Sequence, residues 1–338
     1  EISAAELMEA TLARIDEVNP KLNAIVAQID FDAAMDLARA ADRGPVKGPM
    51  HGLPLAIKDL ADAKGLPTSM GSPVYKDAGP APKDDIMVAR MRAAGALIIG
   101  KTNTPEFGLG SHTYNPVWGA TRNAWDPSRS AGGSSGGAAV ALTTGMMPIA
   151  DGSDMMGSLR NPAGWANIYG YRPSWGLVPS EPEGDAFLHQ LSTAGPMGRS
   201  PADVAMTLTV QAGHDPRQPH GRDLPDIAHL NADLKGKRVF TFPTAGRFLS
   251  QFGVVPVTLP WEDIETAVQT GELDGIAWSG ITEDYTVGWA DVTNYFLTNN
   301  ISGAWAGSFF ANMDRWNELP DHLKELLKVC IDQSHYYR

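Results

Sequence analysis

Residues 129–162 read RSAGGSSGGAAVALTTGMMPIADGSDMMGSLRNP. Two serine-bearing turns, Gly132-Gly133-Ser134-Ser135-Gly136-Gly137 and Asp154-Met155-Met156-Gly157-Ser158, bracket an apolar stretch of about one helix's length. Glycine at this density is costly in conformational entropy. It is useful where backbone must approach a ligand closely or aim several N–H groups at one point. A flexible Gly/Ser linker would be the plain alternative, but AAVALTTGMMPIA is apolar and reads as buried structure.

The strand patterns on either side place a charged residue where apolar ones are expected. Residues 53–59, LPLAIKD, form a buried-strand pattern that ends on Lys58. An ammonium delivered by an apolar strand loses its hydration. Two readings stand at this point. Lys58 either reaches the surface or pairs with Asp59, or it has a lowered pKa and works as a base near neutrality. A serine hydroxyl needs such a base to become a nucleophile, and Ser-Lys pairs can supply it where no histidine lies nearby. Ser158 sits where a strand gives way to a turn. The N–H groups of Met155, Met156 and Gly157 just before it are placed to converge as an oxyanion hole. That combination suits acyl transfer at an amide or ester carbonyl. Neither glycine turn is followed by Lys-Ser/Thr, which argues against a nucleotide-binding loop.

Working outward, helical periodicity covers residues 3–18, opened by a Ser3/Glu6 capping box and expected to close at Asn19-Pro20. Strands are expected at 23–27, 96–101 and 146–150, and helices at 30–41, 85–94 and 203–213. Loops are expected at 169–173 and 195–200, and His214, His220 and His229 are expected at the surface. The alternation of strand and helix favours an α/β layered fold. Beyond about residue 233 Trp and Tyr become dense, including Trp261, Trp278, Trp289 and Trp305, a pattern more typical of a core than of a ligand box. Residues 262–270 and 320–332 read as helices, the latter with Leu323, Leu326, Leu327 and Ile331 on one face. Residues 275–278 read as a strand.

The 338 residues suffice for about two domains. A net charge of -12 argues against nucleic-acid or anionic-membrane partners. The single cysteine, Cys330, excludes an intrachain disulfide and a cysteine-rich metal site. No apolar run is long enough to span a membrane. The opening EISAAELMEATLARI has neither the basic nor the apolar region of a signal peptide, so a cytoplasmic location is expected. It also lacks an initiator Met, so further residues are expected before it.

Four segments carry a family resemblance: GLPLAIKD around Lys58, GKTNTPEFG at 100–108, WGATRNAWDPSRSAGGSSGG at 118–137 and DGSDMMGSLRNPA at 151–163. Through them, residues 1 to about 235 resemble the amidase signature family of serine amidohydrolases. The resemblance implies an α/β/α sandwich on a mixed sheet with the C-terminal part of that fold missing. It implies a small-molecule amide substrate, no cofactor and no metal, and it admits a homodimer. Carried over by position, Ser158 is the nucleophile, Ser134 the bridging serine after a cis Gly133–Ser134 bond, and Lys58 the base. The chain departs from the family pattern at Met155-Met156, where a glycine usually precedes Gly157, so a narrower oxyanion hole and an inactive fold are a further possibility.

Residues 236–338 resemble instead the solute-binding protein of tripartite ATP-independent periplasmic (TRAP) transporters, as a partial α/β lobe. This implies an organic-acid ligand near Trp278, Ser279 and Glu283, and a periplasmic location if it governs. The position of that family's carboxylate-clamping arginine is taken here by Phe240. The two resemblances meet at 233–239, which suggests a composite chain. Amide hydrolysis and solute binding are thus the two functional alternatives, and the first has its full set of site residues.

Overall fold

The computed structural model describes residues 2–182, 190–224, 233–278, 285–293 and 313–334. It divides into two units, Glu1–Asp233 and Leu234–Arg338.

The first unit opens with α1, Ala4–Leu22, capped as expected by reciprocal Ser3 and Glu6 hydrogen bonds. The helix does not close at Asn19-Pro20 but continues to Leu22, with Pro20 inside its last turn. A proline that close to a helix end removes only one donor, and the left-handed Asn23 caps the chain by donating its N–H to Asn19 O. Asn19 is a splice and not a breaker: its side-chain oxygen accepts from the N–H groups of Ala24 and Ile25 at 2.8 and 2.9 Å. Those residues lead into β1, Ile25–Val26, and α2, Phe31–Arg43, follows.

β2 (Pro54–Lys58), α3 (Ile86–Ala93) and β3 (Leu97–Thr102) complete a three-stranded mixed sheet of order β1-β3-β2. β3 pairs parallel with β2 and antiparallel with β1. All five residues of β2 are buried, Lys58 included. A short hairpin, β4 (Tyr114–Asn115) and β5 (Gly119–Ala120), precedes α4, Gly136–Thr143. Residues Gly136 to Leu142 of α4 are all buried, so this helix lies inside the unit with no solvent face.

The strand expected at 146–150 begins only at Ala150: β6 is Ala150–Asp154. Met146 and Met147 are buried, but both donate their N–H to Ala141 O and close the end of α4 through Gly145 at φ 74°. β6 therefore runs through the residues leading to the second serine turn. α5 (Arg160–Ala166), β7 (Tyr169–Gly170), β8 (Thr193–Gly198) and α6 (Pro201–Gln211) follow. β7 and β8 replace parts of the loops expected at 169–173 and 195–200. β8 is hydrogen-bonded antiparallel on both sides, to β6 and to β7, and that pairing overrides the turn character of Gly195-Pro196. The result is a mixed α/β fold whose cores pack α1, α2 and α4 against the first sheet, and α3 and α6 beside β2 and β3.

The second unit has a parallel sheet of order β10-β9-β11, from β9 (Arg238–Thr241), β10 (Val255–Val257) and β11 (Gly275–Ala277). α7 (Pro243–Ser250) and α8 (Ile264–Gln269) connect the strands. Phe240, Ile264, Ala267, Leu273 and Trp289 form its core. Phe240 stacks on Trp278 with ring centroids 5.2 Å apart, and Trp261 packs on Trp289 at 4.8 Å. Trp289 belongs to the core as the sequence suggested, whereas Trp261 and Trp278 are exposed. Ser279, Glu283, Trp305 and His229 lie outside the described residues. The final helix, Asp321–Ser334, exposes Leu323, Leu326 and Leu327.

Candidate active site

β2 carries Lys58 to the sheet's end, where its side chain is 1% exposed. The turn before α4 brings two serines to it: Lys58 Nζ lies 2.7 Å from Ser134 Oγ and 2.8 Å from Ser135 Oγ. A third hydroxyl, Ser153 Oγ on β6, is at 3.0 Å, and Ser153 O is at 3.4 Å. The Gly133–Ser134 peptide bond is cis. β6 also supplies Asp151, whose carboxylate accepts the Lys58 backbone N–H at 3.1 and 3.3 Å. Gly152 between them leaves room for the cluster, since a Cβ there would fall 2.8 Å from Ser135 Oγ.

Burial pushes the Lys58 amine down to about 7, and the negative charges of Asp151 and Asp154 keep it from falling further. Burial likewise pushes Asp151 up to about 6, against the N–H of Lys58 and the charges of Lys58 and Lys101. A lysine of this kind is half neutral at physiological pH. When neutral it has one lone pair for a hydroxyl proton and two N–H groups for the other serine oxygens. Three hydroxyls around one amine match that inventory. The alternatives of a surface lysine and a Lys58–Asp59 pair both fall, because Asp59 instead accepts from Ser69 and lies 3.8 Å from Lys101.

Ser158 is half-buried beside this group, and its tie is through the backbone: Ser135 N–H donates to Ser158 O at 3.2 Å. Among the described residues no hydrogen bond joins Ser158 Oγ to Ser134 Oγ. The turn holding Ser158 is built on Asp154, whose side chain is wholly buried. Its carboxylate accepts from the N–H groups of Gly157 at 2.7 Å and Leu159 at 3.0 Å, and from Arg160 Nε and Nη2 at 3.0 and 3.1 Å. The Arg160 and backbone donors hold Asp154 below the usual carboxylate range despite its burial. Gly157 N–H, expected to face an oxyanion, is engaged by Asp154 in this arrangement, which leaves the N–H groups of Met155 and Met156. Gly157 has φ 115°, and a Cβ there would lie 2.6 Å from Asn161 Nδ2. The Met156 side chain is 78% exposed and does not fill the turn.

Sequence reasoning missed Ser135, Ser153, Asp151 and Asp154. A cavity of about 260 Å³ reaches Lys58 and Ser153 between Leu60, Asp151, Trp175 and Glu181, but is not lined by Ser134 or Ser158. Among the described residues no group of His, Cys, Asp and Glu could hold a metal ion, and no helix is long and apolar enough to cross a membrane.

A family model described as Amidase matches residues 6–248. The chain belongs to the amidase family. It is 42% identical over 246 residues to one of the subunits of glutamyl-tRNA(Gln) amidotransferase from Chloroflexus aurantiacus, covering 71% of this chain and 50% of that protein. It is 38% identical over 296 residues to an acylamidase of Rhodococcus erythropolis, covering 83% of this chain and 61% of the relative. Among solved structures it resembles a bacterial aryl acylamidase of the amidase signature family, with TM-score 0.69, 31% identity, and coverage of 80% of this chain and 60% of the other. A 6-aminohexanoate cyclic dimer hydrolase complexed with substrate matches with TM-score 0.66 and 30% identity, over 76% of this chain and 57% of the hydrolase. The chain thus spans 50–61% of the length of these relatives. A second family model, described as Bacterial extracellular solute-binding protein, family 7, matches residues 227–338 and overlaps the amidase match at 227–248.

Proposed function

We propose that the first unit is a serine amidohydrolase that cleaves the C–N bond of a small carboxylic amide. Neutral Lys58 accepts the proton of Ser134, and Ser134 accepts that of Ser158 as its Oγ attacks the carbonyl carbon. The N–H groups of Met155 and Met156 stabilise the oxyanion. The proton returns through Ser134 to the departing amine, leaving an acyl-enzyme on Ser158. Water then attacks the ester along the same proton path and releases the carboxylic acid. The observation that carries this reading is the fully buried Lys58 amine, held near neutrality 2.7 Å from Ser134 Oγ. Acylamidases and a cyclic amide hydrolase among the relatives support the substrate class.

The test is amine release from simple anilides and primary amides. Turnover by the wild-type chain that disappears in a folded Ser158→Ala variant is expected, and equal turnover in both would refute the assignment. The solute-binding reading of the second unit is less well supported. Phe240 is buried in an aromatic cluster where that reading needs a cation for a carboxylate.

A further inference from the structure

Lys101 is buried as completely as Lys58 but has no part in the chemistry above. Its Nζ donates to Ala61 O at 2.6 Å and to Thr68 Oγ1 at 2.9 Å, and lies 3.8 Å from Asp59 Oδ1. Taking an ammonium out of water costs several kcal/mol even after relaxation, and burial depresses this lysine's pKa too. A methionine would fill the same space without that cost.

All three partners belong to the segment that leaves β2 directly after Lys58. Lys58 O accepts from Leu60 N at 2.7 Å and from Ala61 N at 3.0 Å, so a tight turn locks the base's own carbonyl. Ala61 in turn has its carbonyl held by Lys101. Asp59 fastens the other side: its N–H donates to Thr102 O at 3.0 Å, and its carboxylate accepts from Ser69 N, Ser69 Oγ and Trp118 Nε1. Leu60 and Ser134 both border Gly108, where a Cβ would lie 2.7 Å from Leu60 Cδ1 and 3.7 Å from Ser134 Oγ. A slip of this turn therefore moves the residue that carries the base. The charged groups acting on Lys101 are Asp59, Asp62 and Asp85, from the segment between β2 and α3, and Asp151 on β6, and all four favour its cationic form.

We propose that Lys101 is a positioning residue: its buried ammonium clamps residues 59–68 and so fixes the end of β2 that delivers Lys58 Nζ to Ser134. The inference rests on Lys58 being the base of an amidohydrolase.

Three variants test it: Lys101→Met, Thr68→Val, which removes an acceptor of the ammonium without changing charge, and Thr68→Ser, which restores that acceptor. Hydrogen exchange at the Leu60 and Ala61 amides reads the turn independently of turnover. The rate of Ser158 modification by a fluorophosphonate, and kcat and KM on an anilide, read the base. Lys101→Met and Thr68→Val are expected to exchange those two amides at least tenfold faster, with amides of α1 unaffected. Both should slow Ser158 modification about 100-fold, as a displacement near 1 Å does, with the loss in kcat and KM little changed. Thr68→Ser should behave as wild type. Unchanged exchange at Leu60 and Ala61 in a folded variant overturns the proposal, and so does faster exchange with undiminished modification. If Lys101→Met does not fold, the Thr68 pair decides. A wild-type chain that never reacts refutes the base assignment of Lys58, and the exchange data then decide separately whether Lys101 holds the turn.

Discussion

Lowering the pH should switch off acylation by protonating Lys58, and the shape of that loss is set by burial. A base at about 7 is mostly protonated at pH 6 and mostly neutral at pH 8, so kcat/KM should rise about tenfold between them and level off. A solvated lysine with its ordinary value would give about a 100-fold rise over the same interval and no plateau below pH 10. Asp151, held near 6, takes up its own proton on the same limb, which removes a charge that favours the Lys58 ammonium, so below pH 6 the profile should fall less steeply than a single titration. The assay is kcat/KM on a p-nitroanilide from pH 5 to 10 at constant ionic strength, with unfolding monitored by tryptophan fluorescence. Replacing Asp151 by Asn removes a negative charge that favours the ammonium, so the limb of that variant should move to lower pH. A rate independent of pH, or one still climbing at pH 10, would refute the argument that burial tunes Lys58.

Three further outcomes follow from the same geometry. Gly157→Ala forces a side chain into φ 115° and against Asn161. It should lower stability by roughly 1–3 kcal/mol in urea unfolding and reduce turnover together with it. Ser153→Ala removes one hydroxyl from the Lys58 amine. It should lower kcat/KM about tenfold, the worth of one such hydrogen bond, with a melting temperature close to wild type. Lys58→Met should abolish activity but raise stability at pH 7 by roughly 1–4 kcal/mol. The sign follows from linkage. The unfolded lysine keeps its proton up to about 10.5 while the folded one loses it at about 7, so wild-type stability rises with pH across that window. The advantage of the Met variant should therefore shrink as pH rises from 7 to 10, as read by paired denaturation curves.

Much of the site was legible because its costs are written locally. An apolar strand ending on a lysine, and glycine on both sides of a serine, are expensive choices that single out Lys58 and Ser134, but their pairing was implied only by the family resemblance, and they lie 2.7 Å apart. The helpers were missed through one displaced strand. With β6 placed at Ala150–Asp154, alternation puts Asp151 and Ser153 on one face, and both turn out to contact Lys58. Read as the end of a strand at 146–150 followed by a turn, they had no common direction. Buried methionines beside a proline gave that false strand, because short apolar runs do not distinguish a strand from a helix closure. Asp154 was hidden for another reason. Its partners Gly157, Leu159 and Arg160 lie three to six residues on, and only the folded turn gathers them. Pro20 and Gly195-Pro196 show the same limit, since local breaking signals gave way to a cap at Asn23 and to strand pairing on both sides of β8. In the second unit the aromatic residues were rightly read as core at Trp289, while composition had no means of showing that Trp261 and Trp278 stay exposed.

The central claim is that Lys58 and Ser134 together activate Ser158. It is tested most directly by treating the intact chain with a fluorophosphonate, weighing it, and mapping the modified peptide in wild type and in Lys58→Ala. One adduct, on Ser158 of a chain of 36.1 kDa, is expected in wild type, and none in the variant. An adduct on another residue, or equal modification of Ser158 without Lys58, would contradict it.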